Sequence, residues 1–187
     1  MPSSQPYQIP KILERVLQLN PQSILDVGCG AGKYGMLCRE YLEFWDGRNE
    51  YTFRRRIDAI EAFSEYITPL HSFVYNNIYV DDVLCISARL KGYDLVLLID
   101  VLEQLPKEEG RDLLTLLILN NENLLISTPK EWVTQSDIFG NGYERHKTIW
   151  TEKEFEDIGG WFNFIPDERS IICHIQRLRY ASSDSSA

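Results

Sequence analysis

The segment from Ile24 to Gly35, ILDVGCGAGKYG, places a glycine-rich turn directly after an apolar run. An apolar run of this length is typical of a buried strand. Four glycines in twelve residues then leave a bare backbone that can turn sharply and that a ligand can approach closely. A strand, a glycine turn and a helix in this order favour an α/β fold with a ligand site beside the turn.

Strand and helix patterns alternate along the rest of the chain. Apolar residues at three- and four-residue intervals predict an amphipathic helix from Ile9 to Leu19. The predicted strands cover 23–26, 56–62, 77–82, 93–100 and 123–128, and a closing hairpin covers 162–168 and 171–178; further helices run through about Tyr41, over 106–120 and over 151–159. This order predicts an open α/β sheet, mostly parallel, with an antiparallel C-terminal edge.

Composition limits the organisation of the chain. Its 187 residues are 44% hydrophobic and 25% charged, which is typical of one globular domain. We expect a single domain over residues 1–180 and a disordered tail over 181–187, where ASSDSSA has nothing to bury. The sequence shows no membrane-length apolar run and no leader, and its four cysteines are scattered. These features predict a soluble cytoplasmic protein without a membrane anchor, a disulfide framework or a zinc site.

The formal net charge of −9 disfavours nucleic acid as a partner, because an acidic surface repels phosphate groups. One basic cluster stands out, Arg54 to Arg56, and we interpret it as a solvated loop entering a strand.

Two cofactor classes fit the glycine spacing. Gly30, Gly32 and Gly35 match the G-x-G-x-x-G pattern of nicotinamide dinucleotides, whereas Asp26, Gly28, Gly30 and Gly32 match D-x-G-x-G-x-G. The carboxylate of Asp26 favours the second pattern, because it would repel a pyrophosphate and attract the ammonium and sulfonium groups of S-adenosylmethionine (SAM).

The chain resembles class I SAM-dependent methyltransferases. The resemblance rests on DVGCGAGKYG (26–35), AIEAF (59–63), VDDVL (80–84), YDLVLLIDVLEQL (93–105) and LLISTP (124–129), which follow the family's order over nearly the whole chain. It implies a Rossmann-like three-layer sandwich with a seven-stranded sheet, SAM as cofactor and S-adenosylhomocysteine (SAH) as product.

By this resemblance, the turn residues hold the methionine part of the cofactor, Glu61 holds the ribose, and Asp82 with Val83 holds the adenine. The full set of expected cofactor contacts is Asp26, Gly28, Cys29, Gly30, Gly32, Glu61, Ala62, Asp82, Val83 and Asp100. Cys29 is interpreted as a small residue of the turn rather than a nucleophile.

Candidate catalytic residues follow the fourth and fifth predicted strands. Asp100 and Glu103 lie three residues apart and could share a divalent ion. We favour the alternative without a metal, in which one is a capping acid and the other a surface carboxylate. Gln104 stands where related small-molecule enzymes often have histidine.

The aromatic-rich segment from Phe139 to Thr151 is interpreted as a binding loop. We select His146 as the candidate base, with a loop histidine bonded to a backbone carbonyl as the alternative. Tyr143 is a candidate acceptor contact, and we interpret Glu144 and Arg145 as ordinary loop charges. His71 is expected at the surface and His174 on a sheet face.

The sequence therefore predicts methyl transfer from SAM to a small-molecule or glycan-like acceptor, with oxygen slightly preferred. A non-catalytic SAM-binding module and, less favoured, a nicotinamide-dependent oxidoreductase remain as alternatives. The oligomeric state, monomer or homodimer, stays open.

Overall fold

The computed structural model describes residues 4–137 and 139–178, so the predicted tail lies outside the described residues. One seven-stranded sheet has the order β3-β2-β1-β4-β5-β7-β6. Its strands are β1 (Ser23–Val27), β2 (Arg56–Glu61), β3 (Asn77–Val80), β4 (Leu95–Ile99), β5 (Asn123–Pro129), β6 (Trp161–Ile165) and β7 (Ser170–Gln176). The first five strands pair in parallel, β7 pairs antiparallel with β5, and β6 pairs antiparallel with β7.

Six α-helices cover this sheet in the described part of the chain, besides short 3-10 turns and a π-helical turn over Glu40–Phe44. The α-helices are α1 (Ile9–Leu19), α2 (Lys33–Arg39), α3 (Pro69–Val74), α4 (Val83–Ile86), α5 (Lys107–Asn120) and α6 (Glu152–Glu156). Helices α1, α2 and α3 share one apolar core, and α4, α5 and α6 share a second. Adjacent β-strand residues contribute alternately to the two cores, as Ile24 and Leu25 do, because successive side chains point to opposite faces of a strand. The predicted Rossmann-like three-layer sandwich is confirmed.

Local sequence signals explain several boundaries. All five residues of β4, LVLLI, are buried, as expected for a parallel strand covered on both faces. Helix α1 ends as predicted at Leu19, and Asn20 then adopts a left-handed conformation with φ +46°. Thr151 and Glu154 form a reciprocal capping box at the beginning of α6.

The predicted third and fourth strands extend further than the observed ones. Asp82 belongs to the cap of α4, where its Oδ1 accepts a hydrogen bond from the Leu84 backbone at 2.9 Å. Asp100 follows β4 with φ +56°, outside strand geometry. The acidic residues thus come directly after the strands, at the same edge of the sheet.

The interpretation of Arg54 to Arg56 as a solvated loop is wrong for its central residue. Arg55 is buried, and its guanidinium donates to the Pro21 carbonyl at 3.0 Å. The buried carboxylate of Glu43 accepts from the Arg55 backbone at 2.6 Å. Arg55 is therefore a structural residue beneath the α2–β2 connection.

Among the described residues, no helix combines the length and the apolar character needed to cross a membrane.

Candidate active site

A cavity of about 420 Å³ opens at the carboxyl ends of β1, β2 and β4. This volume lies within the usual range of small-molecule sites. The cavity is lined by eleven of the sequence-predicted residues: Asp26, Gly28, Cys29, Gly30, Glu61, Ala62, Asp82, Val83, Asp100, Glu103 and His146. Gly32 is not on the wall; it lies at the beginning of α2 with φ +81°. The topology therefore brings together residues that are widely separated in the sequence.

The glycine turn runs close to the segment after β4. Gly28 has φ +67°, and a Cβ atom built there would lie 2.7 Å from Cγ2 of Val101. Gly30 has φ +53°, again in the left-handed region that favours glycine. A side chain at Gly28 would thus be strained twice, by its backbone conformation and by the contact with Val101.

Asp26 is held by two donors from other elements. Its Oδ2 accepts from the Tyr75 hydroxyl at 2.6 Å and from the Gly35 backbone at 3.1 Å. Burial raises the pKa of Asp26 to about 6, and these two hydrogen bonds oppose the rise. Asp26 lines the cavity, but sequence reasoning missed Tyr75, whose ring packs on Gly35.

Glu61 connects β2 to the glycine turn. Its Oε2 accepts from the Gly30 backbone at 2.9 Å, and its Oε1 accepts from the Phe63 backbone at 3.0 Å. Burial raises the pKa of Glu61, opposed by these backbone hydrogen bonds. A carboxylate oxygen has two acceptor sites, so each oxygen retains capacity for a donor on a bound ligand.

The expectation that His71 lies at the surface is wrong, because its exposed fraction is 0%. Its Nδ1 accepts from the Thr68 backbone at 3.1 Å, so Nε2 carries the proton and donates to the Gly30 carbonyl at 2.8 Å. The imidazole thereby stabilises the conformation of the glycine turn. Only the Thr-x-x-His spacing at the beginning of α3 hinted at this role.

The first residues also contribute to the site. Gln8, which directly precedes α1, is buried, and its Nε2 donates to Asp100 Oδ2 at 2.6 Å. Lys33 lines the cavity and donates to the Ser4 carbonyl at 3.0 Å. Burial lowers the pKa of Lys33. No local sequence pattern predicts these contacts.

Asp100 lies on the cavity wall with both carboxylate oxygens engaged. Besides the hydrogen bond from Gln8, its Oδ1 accepts from the Ser127 hydroxyl at 2.9 Å. Burial raises the pKa of Asp100, opposed by these hydrogen bonds. Gln104 donates its side-chain amide to the Asp100 carbonyl at 3.1 Å, so it stabilises this turn.

The interpretation of Glu103 as a surface carboxylate is wrong, because Glu103 is 2% exposed, and it lines the cavity. Its Oε2 accepts from the Thr128 hydroxyl at 3.1 Å. Its Oε1 lies 3.9 Å from Nε2 of His146, beyond hydrogen-bond distance. Burial raises the pKa of Glu103 well above its usual range, and burial lowers the pKa of His146. A neutral imidazole therefore faces a desolvated carboxyl group.

The loop between β5 and α6 closes the cavity on this side. The interpretation of Glu144 as an ordinary loop charge is wrong, because Glu144 is buried and accepts from the Tyr66 hydroxyl at 3.1 Å. Arg145 is an exposed charge as expected, and it pairs with Asp137 at 3.1 Å. Tyr143 lines the cavity as predicted.

The sequence profile of one family, described as mitochondrial small ribosomal subunit Rsm22, matches residues 7–130. The match spans about two thirds of the chain. This chain belongs to the Rsm22 family. A search of curated protein sequences gives no match. The profile covers β1 through β5, but it ends before the loop that carries His146 in this Rsm22-family chain.

Solved structures with the same fold are class I methyltransferases. The N-terminal domain of EvdMO1 with SAH bound has a TM-score of 0.67 at 12% identity, covering 94% of this chain and 83% of that domain. An rRNA methylase from Escherichia coli has a TM-score of 0.56 at 16% identity, covering 91% and 64%. An O-methyltransferase family protein from Burkholderia thailandensis has a TM-score of 0.58 at 14% identity, covering 91% and 57%. At these identities the likeness extends to the fold, the class I methyltransferase fold.

The cavity of the Rsm22-family chain is strongly acidic. Among the described residues, those that line the cavity include eight aspartates and glutamates but two lysines, Lys33 and Lys147. No three histidine, cysteine, aspartate or glutamate side chains of the described ranges are grouped as metal ligands would be.

Proposed function

We propose that this chain is a SAM-dependent methyltransferase that acts on a small or medium-sized acceptor, with oxygen as the preferred acceptor atom. The observation that carries the proposal is the position of Glu61, at the end of β2, where it faces the cavity and holds the Gly30 backbone. The SAH bound to the EvdMO1 domain, which has the same fold, supports the cofactor assignment.

The residues of the cavity fit SAM. Glu61 would accept from the ribose hydroxyls, and Asp82 with Val83 would flank the adenine, since all three lie at the edge where β2 and β3 end. Asp26 and Asp100 would attract the ammonium group of the methionine part. A pyrophosphate in the same position would meet these carboxylates, so charge disfavours a nicotinamide dinucleotide.

SAM, when bound, supplies an electrophilic methyl group on a good leaving group. The chain's own task is therefore to align the acceptor, exclude water and remove a proton. His146 is the candidate base: burial keeps its imidazole neutral, and that imidazole accepts the proton of an acceptor hydroxyl. Glu103, 3.9 Å from His146, would stabilise the imidazolium that forms.

We further propose a small-molecule or glycan-like acceptor rather than nucleic acid. The negative charge of the cavity and of the chain supports this choice of acceptor. The fold does not discriminate, because an rRNA methylase shares it. We retain from the sequence the single domain over 1–180, the tail over 181–187 and a cytoplasmic location.

The second candidate is a non-catalytic module that binds SAM. Two observations favour it: Gln104 replaces the histidine of related enzymes, and the matching family is described as a small ribosomal subunit protein. It predicts cofactor affinity without turnover, and association with a ribosomal subunit.

Calorimetric titration of the purified protein with SAM, SAH and NADH tests the cofactor assignment. We expect micromolar affinity for SAM and SAH, weakened at least tenfold in Asp26→Asn, and none for NADH. Asp46→Asn, at an exposed position remote from the cavity wall, is the matched control and should leave the affinity unchanged. Binding of NADH alone would overturn the proposal.

A further inference from the structure

Two buried side chains at α3, His71 and Tyr75, lie against the glycine turn and the beginning of α2. Their ring centroids are 5.9 Å apart, and neither side chain is on the cavity wall. A Cβ atom built on Gly32 would lie 3.6 Å from Nε2 of His71, and one built on Gly35 would overlap the Tyr75 ring. Gly35, the last glycine of the G-x-G-x-x-G match, therefore makes room for Tyr75, a role that is independent of any dinucleotide.

Gly30 is held on both sides of its Cα atom. Its N–H donates to Glu61 Oε2 at 2.9 Å, and its carbonyl accepts from Nε2 of His71 at 2.8 Å. Its φ of +53° is one of many backbone conformations open to glycine, the residue with the greatest conformational freedom. Rotation of either adjoining peptide group would break one of the two hydrogen bonds. His71 therefore restricts the turn at the residue that Glu61 also contacts.

The two ring nitrogens of His71 have separate partners. Nδ1 lies 3.1 Å from both the backbone nitrogen and the hydroxyl of Thr68, so it serves the beginning of α3. Nε2 serves the glycine turn. A capping box is ordinarily completed by glutamate or glutamine at this position, and a glutamate would supply acceptors without a donor for Gly30. The histidine therefore does more than cap the helix.

Tyr75 holds the other end of the same unit, the carboxylate of Asp26. Its hydroxyl and the Gly35 backbone both donate to Asp26 Oδ2, at 2.6 and 3.1 Å. Hydrogen bonds to an ionised carboxylate are stronger than those between neutral groups. The two donors thus fix the direction of the carboxylate at the cavity wall.

We propose that His71 and Tyr75 are positioning residues for the cofactor: acting through Gly30 and Asp26, they hold the glycine turn in the conformation that binds SAM. This inference rests on the proposed function and adds to it the residues that preorganise the cofactor site. Preorganisation raises affinity because less conformational entropy is lost when the ligand binds. The pair should therefore set the affinity for SAM and SAH.

Calorimetric titration of His71 variants with SAH separates positioning from packing. His71→Gln retains a donor in place of Nε2, so its affinity should stay within threefold of the wild-type value. His71→Asn retains an acceptor for Thr68 but is too short to reach the Gly30 carbonyl, so it should bind SAH at least tenfold more weakly. Ser72→Ala, at an exposed position of the same helix, is the control and should bind within twofold of the wild-type protein.

Tyr75→Phe tests the second contact, and it decides the proposal if the His71 variants do not fold. It retains the ring and removes one hydroxyl, so affinity for SAH should fall at least threefold. Thermal unfolding of the same samples establishes which variants are folded.

The possible failures are distinguishable. Absence of SAH binding by the wild-type protein would contradict the proposed function itself. If the wild-type protein binds SAH, equal affinities of folded His71→Gln and His71→Asn, or an unchanged affinity of Tyr75→Phe, would overturn the positioning proposal alone.

Discussion

The two ends of the cavity differ in how their carboxyl groups are held. At the cofactor end, formed by Asp26, Glu61 and the glycine turn, backbone amides and the Tyr75 hydroxyl donate over 2.6 to 3.1 Å. At the acceptor end, formed by Glu103, Glu144 and His146, the hydroxyls of Thr128 and Tyr66 donate to the two carboxyl groups at 3.1 Å. Glu103 and His146 remain 3.9 Å apart there, and the loop carrying His146 is long and largely without regular structure.

This difference indicates which end is complete before ligands bind. The carboxyl groups of the cofactor end are fixed by strands, so they need little rearrangement to accept hydroxyl and ammonium donors. At the acceptor end, the desolvated carboxyl group of Glu103 and the neutral imidazole of His146 would gain their remaining contacts only when a substrate binds. We therefore expect variants of the cofactor end to lower affinity and variants of the acceptor end to lower turnover.

The largest effect is expected from His146→Ala. Removal of a general base lowers kcat by about 10²- to 10⁴-fold, while the affinity for SAH should stay within twofold. Steady-state kinetics with an acceptor found by a methyl-transfer screen of the wild-type protein, together with calorimetry, measure both quantities. Unchanged kcat would remove His146 from the mechanism.

Glu61→Ala should lower the affinity for SAH at the cofactor end. It removes the acceptor for the ribose and leaves the Gly30 and Phe63 amides unpaired, so affinity for SAH should fall about 100-fold, in line with the ~3 kcal/mol of a hydrogen-bonded charge. Glu65→Ala, at an exposed position four residues later, is the control. A loss of kcat without a loss of affinity would reverse the assignment of the two ends.

The pH dependence of SAH binding should follow Asp26. Its pKa in the folded protein is raised to about 6, so the carboxylate is ionised above pH 6 and becomes protonated below it. Since the ionised form attracts the ammonium group, affinity should be constant above pH 6 and fall by up to about tenfold per unit below it. Asp26→Asn should weaken this dependence and leave the part contributed by Asp100, whose pKa is also raised by burial; an unaltered profile would exclude Asp26 as its source.

The free energy of unfolding should depend on pH in the opposite sense to the affinity for SAH. Because the folded-state pKa of Asp26 lies above its ordinary value of 3.8, ionisation destabilises the fold as pH rises between about 4 and 6. Chemical unfolding of Asp26→Asn should therefore show a smaller loss of stability over this range than the wild-type protein. A loss of equal size in both proteins would contradict the assignment.

The smallest effect is expected from Gln8→Ala. It removes the 2.6 Å hydrogen bond to Asp100 and should lower the free energy of unfolding by about 1–2 kcal/mol, leaving SAH affinity within a few fold. Gln18→Ala, on the exposed side of α1, is the control. Equal stability of the Gln8 variant and the wild-type protein would show that the hydrogen bond from Gln8 does not support the site.

The fold was predictable because apolar runs such as LVLLI and the glycine turn specify strands and their order locally. Cavity residues at strand ends, such as Glu61, were predictable for the same reason. Tyr75 and Gln8 were not, because their partners Asp26 and Asp100 are 49 and 92 residues away in the sequence. Glu144 was misjudged because its burial depends on the path of a long loop, which no local pattern specifies.

A crystal structure of the SAH complex tests the central claim most directly. We predict that both ribose hydroxyls contact Glu61, that the adenine lies beside Asp82 and Val83, and that the sulfur faces the acceptor end near His146. SAH bound elsewhere, or oriented with its adenine at His146, would contradict the account.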